Sequence, residues 1–307
     1  MMKISWKGHI SMFSANVMWG LMSPLAKFVL VSGVVTPVVL TNMRICGAMV
    51  LFWIGSLFQK QEHVPPGDLL RLFGAALLAI VFNQGSFIFG VGLTSPADAS
   101  IITTSMPLWA MIFAAFILKE PITVKKVLGI AAGAAGALLL IFGSGRVSGA
   151  TGDNPVLGDF LVMCAQFSYA LYLVVYKKFV SKYSLFTIMK WMFTFAAACA
   201  LPFAVGDLRQ MQWELLTANQ FAAIAFIVVC ATFLSYILIL VGQKDLRPTV
   251  AGMYNYVQPI VACIVAVLWG MDTFNAVKGF AVLLIFSGVY LVTTSKSRAD
   301  VSSSQRH

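Results

Sequence analysis

The chain has 307 residues, of which 60% are hydrophobic and 10% are charged, and its formal net charge is +10. Its mean hydropathy is +0.88, whereas an ordinary soluble domain is about 45–50% apolar and about 25% charged. This number of charges cannot cover the surface of a soluble protein of the same size. A soluble enzyme, a disordered chain and a disulfide-stapled secreted domain are therefore excluded, and the composition is that of an integral membrane protein.

Ten apolar segments are long enough to cross the hydrocarbon core of a bilayer, which takes about 20 helical residues. They cover residues 8–30, 38–58, 69–92, 96–118, 124–143, 156–177, 184–206, 217–242, 247–270 and 275–295. The connections are short and leave no room for a separate soluble domain. The predicted fold class is therefore an all-α integral membrane protein with ten transmembrane helices, followed by a disordered cytoplasmic tail at 297–307.

Basic residues cluster in alternate connections, and cytoplasmic loops are the ones that accumulate Lys and Arg. The richer side would hold Lys3, Lys7, Lys60, Arg71, Lys119, Lys125, Lys126, Lys177, Lys178, Lys182, Lys244, Arg247, Lys296 and Arg298. The poorer side would hold Arg146, Arg209 and Lys278. This asymmetry predicts cytoplasmic N- and C-termini and multi-pass insertion in a bacterial inner (plasma) membrane. The clusters form no stripe interleaved with aromatic residues, so nucleic-acid binding is not expected.

The sequence lacks the motifs of catalysis, metal binding and nucleotide hydrolysis. Its five cysteines lie inside apolar segments without a CxxC pair, and its three histidines stand apart from any Cys or carboxylate cluster. The GxxxxGK[ST] phosphate loop, GxSxG and HExxH are all absent. We therefore expect no catalytic residues, no metal and no cofactor.

The second half of the chain repeats the first. At a shift of 152 residues Pro107 falls on Pro259 and Gly136 on Gly288, and at a shift of 150 Trp19 falls on Tyr169. The predicted domains are a first repeat at 1–148 and a second at 149–296, each with five helices. Because five is odd, the second copy must enter the membrane from the opposite side. An inverted repeat of this kind is typical of secondary transporters that rock around a site near the midplane.

The fourth segment and its surroundings resemble a known family. The residues SPADAS at 95–100, Met106-Pro107, LKEPIT at 118–123, Gly129 and Gly136 are similar to the repeat of the EamA family in the drug/metabolite transporter superfamily. Trp19-Gly20 also matches, whereas Asp272 stands where the family usually has Glu. The resemblance implies a ten-helix secondary transporter with a central cavity shared by both halves. Family members move amino acids, sugars, nucleotide conjugates and drugs.

Polar and aromatic residues at repeat-related depths are the candidate substrate-binding residues. Prolines at 107 and 259 deprive the carbonyls of residues 103 and 255 of their helical donors, and such carbonyls favour a wet cavity. Interhelical hydrogen bonds and ordinary core packing are the alternative roles for these side chains. The candidates are Asn16, Trp19, Gln84, Thr104, Tyr169, Tyr236, Asn255, Tyr256 and Arg44.

Charged residues inside the segments allow several interpretations. Lys27 and Lys190 lie near segment ends, where they are expected to snorkel. Arg44 either pairs with Asp98 or holds a substrate carboxylate or phosphate with its planar fork. Asp272 and Glu120 are expected to cap a helix or to bridge to Lys278 and Lys126.

The fifth and tenth segments are rich in small residues. These are Gly129, Gly133 and Gly136 in the fifth segment, and Gly279, Ala281 and Gly288 in the tenth. They predict close helix packing within each bundle or a homodimer seam.

The expected function is a secondary transporter that exports a small organic metabolite, such as an amino acid, by alternating access. Its partners are the small-molecule substrate and the lipid bilayer. A polytopic membrane enzyme acting on a lipid-linked substrate is the main alternative, but it would need acidic or histidine clusters at the membrane face. A channel is disfavoured because channels build pores by rotational symmetry about the membrane normal.

Overall fold

A computed structural model describes residues 6–119, 123–144, 154–245 and 254–293. The first half contains α1 (Trp6–Val31), α2 (Pro37–Leu57), α3 (Pro66–Ala76), α4 (Asn83–Leu93), α5 (Pro96–Thr103), α6 (Met106–Ile117) and α7 (Val124–Ser144). The second half contains α8 (Pro155–Val175), α9 (Lys177–Val180), α10 (Leu185–Gln210), α11 (Ala218–Val228), α12 (Ser235–Asp245), α13 (Val257–Leu268) and α14 (Ala276–Thr293). Short 3₁₀ turns cover Trp213–Leu215 and Tyr254–Tyr256. Throughout these residues the regular structure is helical, without a β-strand.

Seven helical stretches are long and apolar enough to cross a membrane: Trp6–Val31, Pro37–Leu57, Pro66–Leu93, Pro96–Ile117, Pro155–Val175, Leu185–Gln210 and Ala218–Gly242. Val257–Leu268 and Ala276–Leu291 are shorter apolar helices. A helix lies within each of the ten predicted apolar segments, and the prediction of an all-helical membrane protein is confirmed. The tail at 297–307, Glu120, Arg146 and Arg247 lie outside the described residues.

Hydroxyl side chains begin several of these helices. The Thr36 hydroxyl accepts a hydrogen bond from the Val39 amide at the start of α2, and the Ser95 hydroxyl accepts one from the Asp98 amide at the start of α5. A proline follows each of these caps, and its fixed φ and missing N–H suit the first helical position. At α11, Thr217 and Gln220 form a complete capping box. These bonds satisfy amides in the first turn of each helix, which have no acceptor within the helix.

Two helices widen into a π-helical turn at matching places. Leu77–Phe82 joins α3 to α4, and Val229–Leu234 joins α11 to α12. The second turn begins 152 residues after the first, and α11 and α14 begin 152 residues after α3 and α7. The offset found in the sequence is therefore also the offset between these structural elements.

The glycine stripes of α7 and α14 face each other. A Cβ on Gly136 would lie 2.8 Å from the Ala281 carbonyl oxygen, and one on Gly288 would lie 2.5 Å from the Gly129 carbonyl oxygen. The prediction of close helix packing is confirmed: Gly136 and Gly288 pack across the two halves of the chain, whereas a Cβ on Gly133 would contact Leu108 of α6 within the first half. α2 and α10 likewise pack across the halves.

Two hydrophobic clusters make up the interior. One is centred on α1, α4, α5 and α8, and Trp19 packs on its edge. The other is centred on α2, α3 and α10, and Tyr169 and Tyr236 pack on its edge. The rings of Trp19 and Tyr236 meet at 6.2 Å, so a group of polar and aromatic side chains lies at the junction of the two clusters.

Candidate substrate site between the two halves

Tyr236, the second residue of α12, is the centre of this group. Its ring lies edge-on to Trp19 at 6.2 Å, to Phe193 at 6.3 Å and to Phe52 at 6.5 Å between centroids. Trp19 and Phe52 come from the first half of the chain, and Phe193 and Tyr236 come from the second. The aromatic walls of the site are thus supplied by both halves.

Arg44 brings a positive charge to the same place. Its side chain is buried, with the residue 5% exposed, and its Nε donates to the Thr232 hydroxyl oxygen at 2.8 Å. Thr232 in turn donates to the Ile227 carbonyl at 2.8 Å, and the side chain of Tyr236 lies near the guanidinium. No ion pair to Arg44 exists among the residues that the structure describes. A buried guanidinium without a carboxylate is costly unless another anion occupies the site.

Gln84, the second residue of α4, has an unsatisfied amide. The residue is 1% exposed, and within the described chain neither its Nε2 nor its Oε1 has a hydrogen-bond partner. The amide lies beside the Tyr236 hydroxyl but outside hydrogen-bond geometry. Leaving a buried polar group unpaired costs about 1–3 kcal/mol. The described residues therefore leave the bonding capacity of this amide unused.

Trp19 connects α1 to the π-helical turn of the second half. Its indole Nε1 donates to the Ala231 carbonyl at 3.1 Å, and the Ser235 hydroxyl donates to the same carbonyl at 3.0 Å. A π-helical turn disturbs the regular pairing of backbone groups, and these two donors satisfy the carbonyl at that point. The bond holds the indole ring against Tyr236.

Five of the predicted site residues come together in this group: Trp19, Arg44, Gln84, Tyr169 and Tyr236. Tyr169 stacks at a tilt on Tyr172 with 5.7 Å between centroids, and Tyr236 is a neighbour of both phenols.

The remaining predicted residues have other surroundings. Asn16 accepts a 2.7 Å hydrogen bond from Gln258 and donates one to the Met12 carbonyl, so its amide is used in joining α1 to α13. Thr104 donates to the Ile101 carbonyl at 2.6 Å in the break between α5 and α6. Asn255 is half-buried in the 3₁₀ turn before α13, and the Tyr256 side chain lies outside the described residues.

Sequence reasoning missed Thr232, Phe52, Phe193 and Gln258. Phe52 and Phe193 are fully buried aromatics within apolar segments, where nothing in the pattern separates a site wall from core filler. Gln258 gave a usable signal, because an amide next to a proline inside an apolar segment needs a polar neighbour. Thr232 gave none, since a threonine can bond to its own helix.

Two charge predictions are wrong. Lys27 is 3% exposed and donates to the Gly92 carbonyl at 2.8 Å. Lys190 is 4% exposed and donates to Gln61 Oε1 at 3.2 Å, so both lysines are buried rather than snorkelling. Asp98 does not pair with Arg44, because its Oδ1 lies 3.1 Å from Lys278 Nζ, in an ion pair without hydrogen-bond alignment. The predicted bridge between Asp272 and Lys278 is confirmed, at 2.7 and 2.8 Å.

The connection between α2 and α3 carries a second polar contact, away from the aromatic group. Glu62 accepts hydrogen bonds from the Ser184 amide at 3.0 Å and from the Ser184 hydroxyl at 2.9 Å. Partial desolvation opposes ionisation here, but the hydrogen bonds at the start of α10 outweigh it and lower the pKa of Glu62. The contact ties a loop of the first half to a helix start of the second.

Seven apolar helical stretches long enough to cross a membrane, packed around an enclosed polar and aromatic group, define a multi-pass membrane protein. The EamA-like transporter family matches residues 6–142 and again residues 156–294. The chain therefore belongs to the EamA-like transporter family.

Relatives and a solved structure agree with this assignment. An uncharacterized transporter of Archaeoglobus fulgidus is 23% identical over 283 residues, which cover 91% of this chain and 95% of the relative. The uncharacterized inner membrane transporter YedA of Escherichia coli is 24% identical over 291 residues, covering 93% and 90%. The uncharacterized transporter YetK of Bacillus subtilis is 22% identical over 234 residues, covering 76% and 70%. A crystal structure at 18% identity shares the fold with a TM-score of 0.63, over 93% of this chain and 96% of that one.

Proposed function

We propose that the protein is a secondary transporter that exports a small organic metabolite, an amino acid or a related compound, by alternating access. One observation carries the proposal: the unpaired amide of Gln84 and the unpaired charge of Arg44 lie where the two halves meet. In alternating access one half of the protein moves against the other around a fixed site. A site at the boundary between the halves, built from both of them, is suited to this movement.

The architecture that we propose for this cycle has ten transmembrane helices in two inverted repeats, at 1–148 and 149–296. Two matches to one family and the shared offset of the π-helical turns support the duplication. Because each copy would have an odd number of helices, the second copy would enter the membrane from the opposite side and have the opposite orientation. The proposed transport site is lined by Trp19, Arg44, Gln84, Tyr169 and Tyr236, which lie together. The sequence alone adds Asn16, Thr104, Asn255 and Tyr256 to this proposal.

Substitution within each half tests the shared site. Gln84→Leu removes an amide that bonds to nothing in the described protein, and Asn255→Leu removes one from the second half. Both variants should lose transport of labelled metabolites in proteoliposomes while their expression and melting temperature stay near those of the unaltered protein. Gln212→Leu, at an exposed glutamine, is the matched control. Normal transport by both site variants, or misfolding of both, would contradict the central site.

The orientation has its own test. We propose cytoplasmic termini in a bacterial inner membrane, because basic residues cluster in alternate connections. Single cysteines at Lys60 and Lys244 should resist an impermeant reagent in intact cells, whereas one at Arg209 should react. The opposite labelling pattern would reverse the topology.

A further inference from the structure

We propose that the site selects its substrate by a carboxylate, held by Arg44 and attached to an apolar, aromatic-compatible body. This inference rests on the proposed transport function and names the class of compound that the same site would accept.

The first argument is the unused bonding capacity of Arg44. A guanidinium has five N–H donors in a fixed planar fork, and Thr232 accepts only the one on Nε. Because Thr232 also donates to the Ile227 carbonyl, its hydroxyl has a fixed orientation. The hydrogen bond from Arg44 Nε to this hydroxyl therefore also fixes the orientation of the guanidinium plane. No described acceptor bonds the two terminal nitrogens. A carboxylate matches such a fork with two parallel hydrogen bonds.

The second argument is the pair of polar groups beside the guanidinium. Tyr236 lies near Arg44, and the Gln84 amide lies next to the Tyr236 hydroxyl. The Gln84 Nε2 and Oε1 both lack a partner, and the residue is almost completely buried. A bound carboxylate would supply acceptors to the Nε2 group and to the tyrosine hydroxyl. One ligand would then satisfy both the unpaired Nε2 donor of Gln84 and the unpaired charge of Arg44.

The third argument is the surroundings of these groups. The rings of Trp19, Phe52 and Phe193 all lie within 6.5 Å of the Tyr236 ring. Such walls favour an apolar or aromatic body through burial and edge-to-face contacts. A strongly hydrated polyol gains little here, because its hydroxyls would lose water without finding partners.

Charge balance narrows the class further. Arg44 supplies one positive charge, and no described carboxylate pairs with it. Asp98 and Asp272 are both engaged by Lys278, so the site has no described carboxylate free to hold an ammonium group. A monocarboxylate should therefore bind more tightly than the corresponding zwitterionic amino acid, and a phosphate dianion would be left half neutralised.

Three compounds with the same aromatic body test this inference on the purified full-length protein in lipid nanodiscs. The probes are 3-phenylpropionate, its neutral amide 3-phenylpropionamide, and L-phenylalanine, each titrated by calorimetry. We expect 3-phenylpropionate to bind at least about tenfold more tightly than the amide, because charge-assisted hydrogen bonds are worth more than neutral ones. L-Phenylalanine should fall below the acid. Equal binding of the acid and the amide would overturn the proposal.

Substitution of the arginine separates recognition from folding. Arg44→Gln should abolish the preference for the acid over the amide while the melting temperature stays the same or rises, since a buried unpaired charge is removed. Arg44→Lys should keep part of the preference without the planar fork. Arg209→Gln, at an exposed arginine, should change nothing. If Arg44→Gln binds the acid as the unaltered protein does, the guanidinium is not the recognition group and the proposal fails.

The remaining outcomes are also decisive. Should Arg44→Gln fail to fold, the comparison of acid and amide in the unaltered protein decides the question alone. A protein that transports another labelled metabolite but binds none of the three probes would refute the carboxylate class and leave transport intact. Absence of all transport would contradict the proposed function instead.

Discussion

Replacing Lys278 by methionine should destabilise the protein strongly. The ammonium lies 3.1 Å from Asp98 Oδ1 and 2.7 Å from Asp272 Oδ1, and its side chain is 7% exposed. Asp98 lies in the first turn of α5, in the first half of the chain. Lys278 lies in the first turn of α14, in the second half. The contact therefore joins the halves. Methionine keeps much of the length and volume of lysine but leaves two buried carboxylates facing each other without a cation.

The size of the effect follows from the loss of the partner charge. Removing one member of a buried ion pair costs about 3–5 kcal/mol, mostly because the remaining charge stays buried without compensation. Two carboxylates share this lysine, so we expect the upper part of that range.

The assay is thermal unfolding of the purified protein in detergent, compared at equal protein and detergent concentrations. Lys125→Met, at an exposed lysine near the start of α7, is the matched control and should change stability by less than about 1 kcal/mol. The double variant Lys278→Met with Asp98→Asn should recover part of the loss, as a double-mutant cycle requires of coupled groups. A Lys278→Met protein as stable as the control, or a double variant whose losses simply add, would refute the reasoning.

Three further predictions concern contacts between the halves. Trp19→Phe removes one donor from the Ala231 carbonyl and should cost about 1 kcal/mol in thermal unfolding. Gly136→Leu forces a side chain against the Ala281 carbonyl and should lower stability by at least about 1–3 kcal/mol, measured in the same way; an unchanged melting temperature would show that α7 and α14 can separate freely. Glu62→Gln should cost about 1 kcal/mol at pH 7. The pKa of this carboxyl is lowered by folding, so its contribution is present above the unfolded value near 4.3 and fades as pH falls through the lower folded value, which a comparison of melts at pH 7 and pH 3 checks.

The helical segments could be predicted because hydropathy and segment length alone decide them. Pro37, Pro66, Pro96 and Pro155 each mark a helix start in the structure, since the fixed φ and missing N–H of proline suit the first helical position. Pro24 and Pro202, by contrast, lie inside α1 and α10. The close packing of α7 could also be predicted, since glycines at helical spacing serve little else in a membrane helix. The helix against which α7 packs could not be predicted, because a stripe of small residues does not specify which helix will contact it.

The site was predictable in its residue types and not in its pairings. Gln84 and Tyr236 stood out as polar or aromatic groups at matching depths, and they do lie together. Asn16 stood out for the same reason but bonds to Gln258, since an amide that lines a site and one that joins two helices look the same in a sequence. The pairing of Asp98 with Lys278 rather than Arg44 depends on how helices from different halves approach, which depth along a helix does not determine.

The π-helical turns bear on the history of the chain. A π-helical turn encloses one residue more than an α-helical turn, so each marks the place where a helix has taken in an extra residue without breaking. The turns at Leu77–Phe82 and Val229–Leu234 lie at the same place in their halves. Two separate insertions at one position would be a coincidence, whereas a single insertion copied by gene duplication needs none. If the two halves are copies of one unit, as we propose, the extra residue was already present in that unit before it was duplicated.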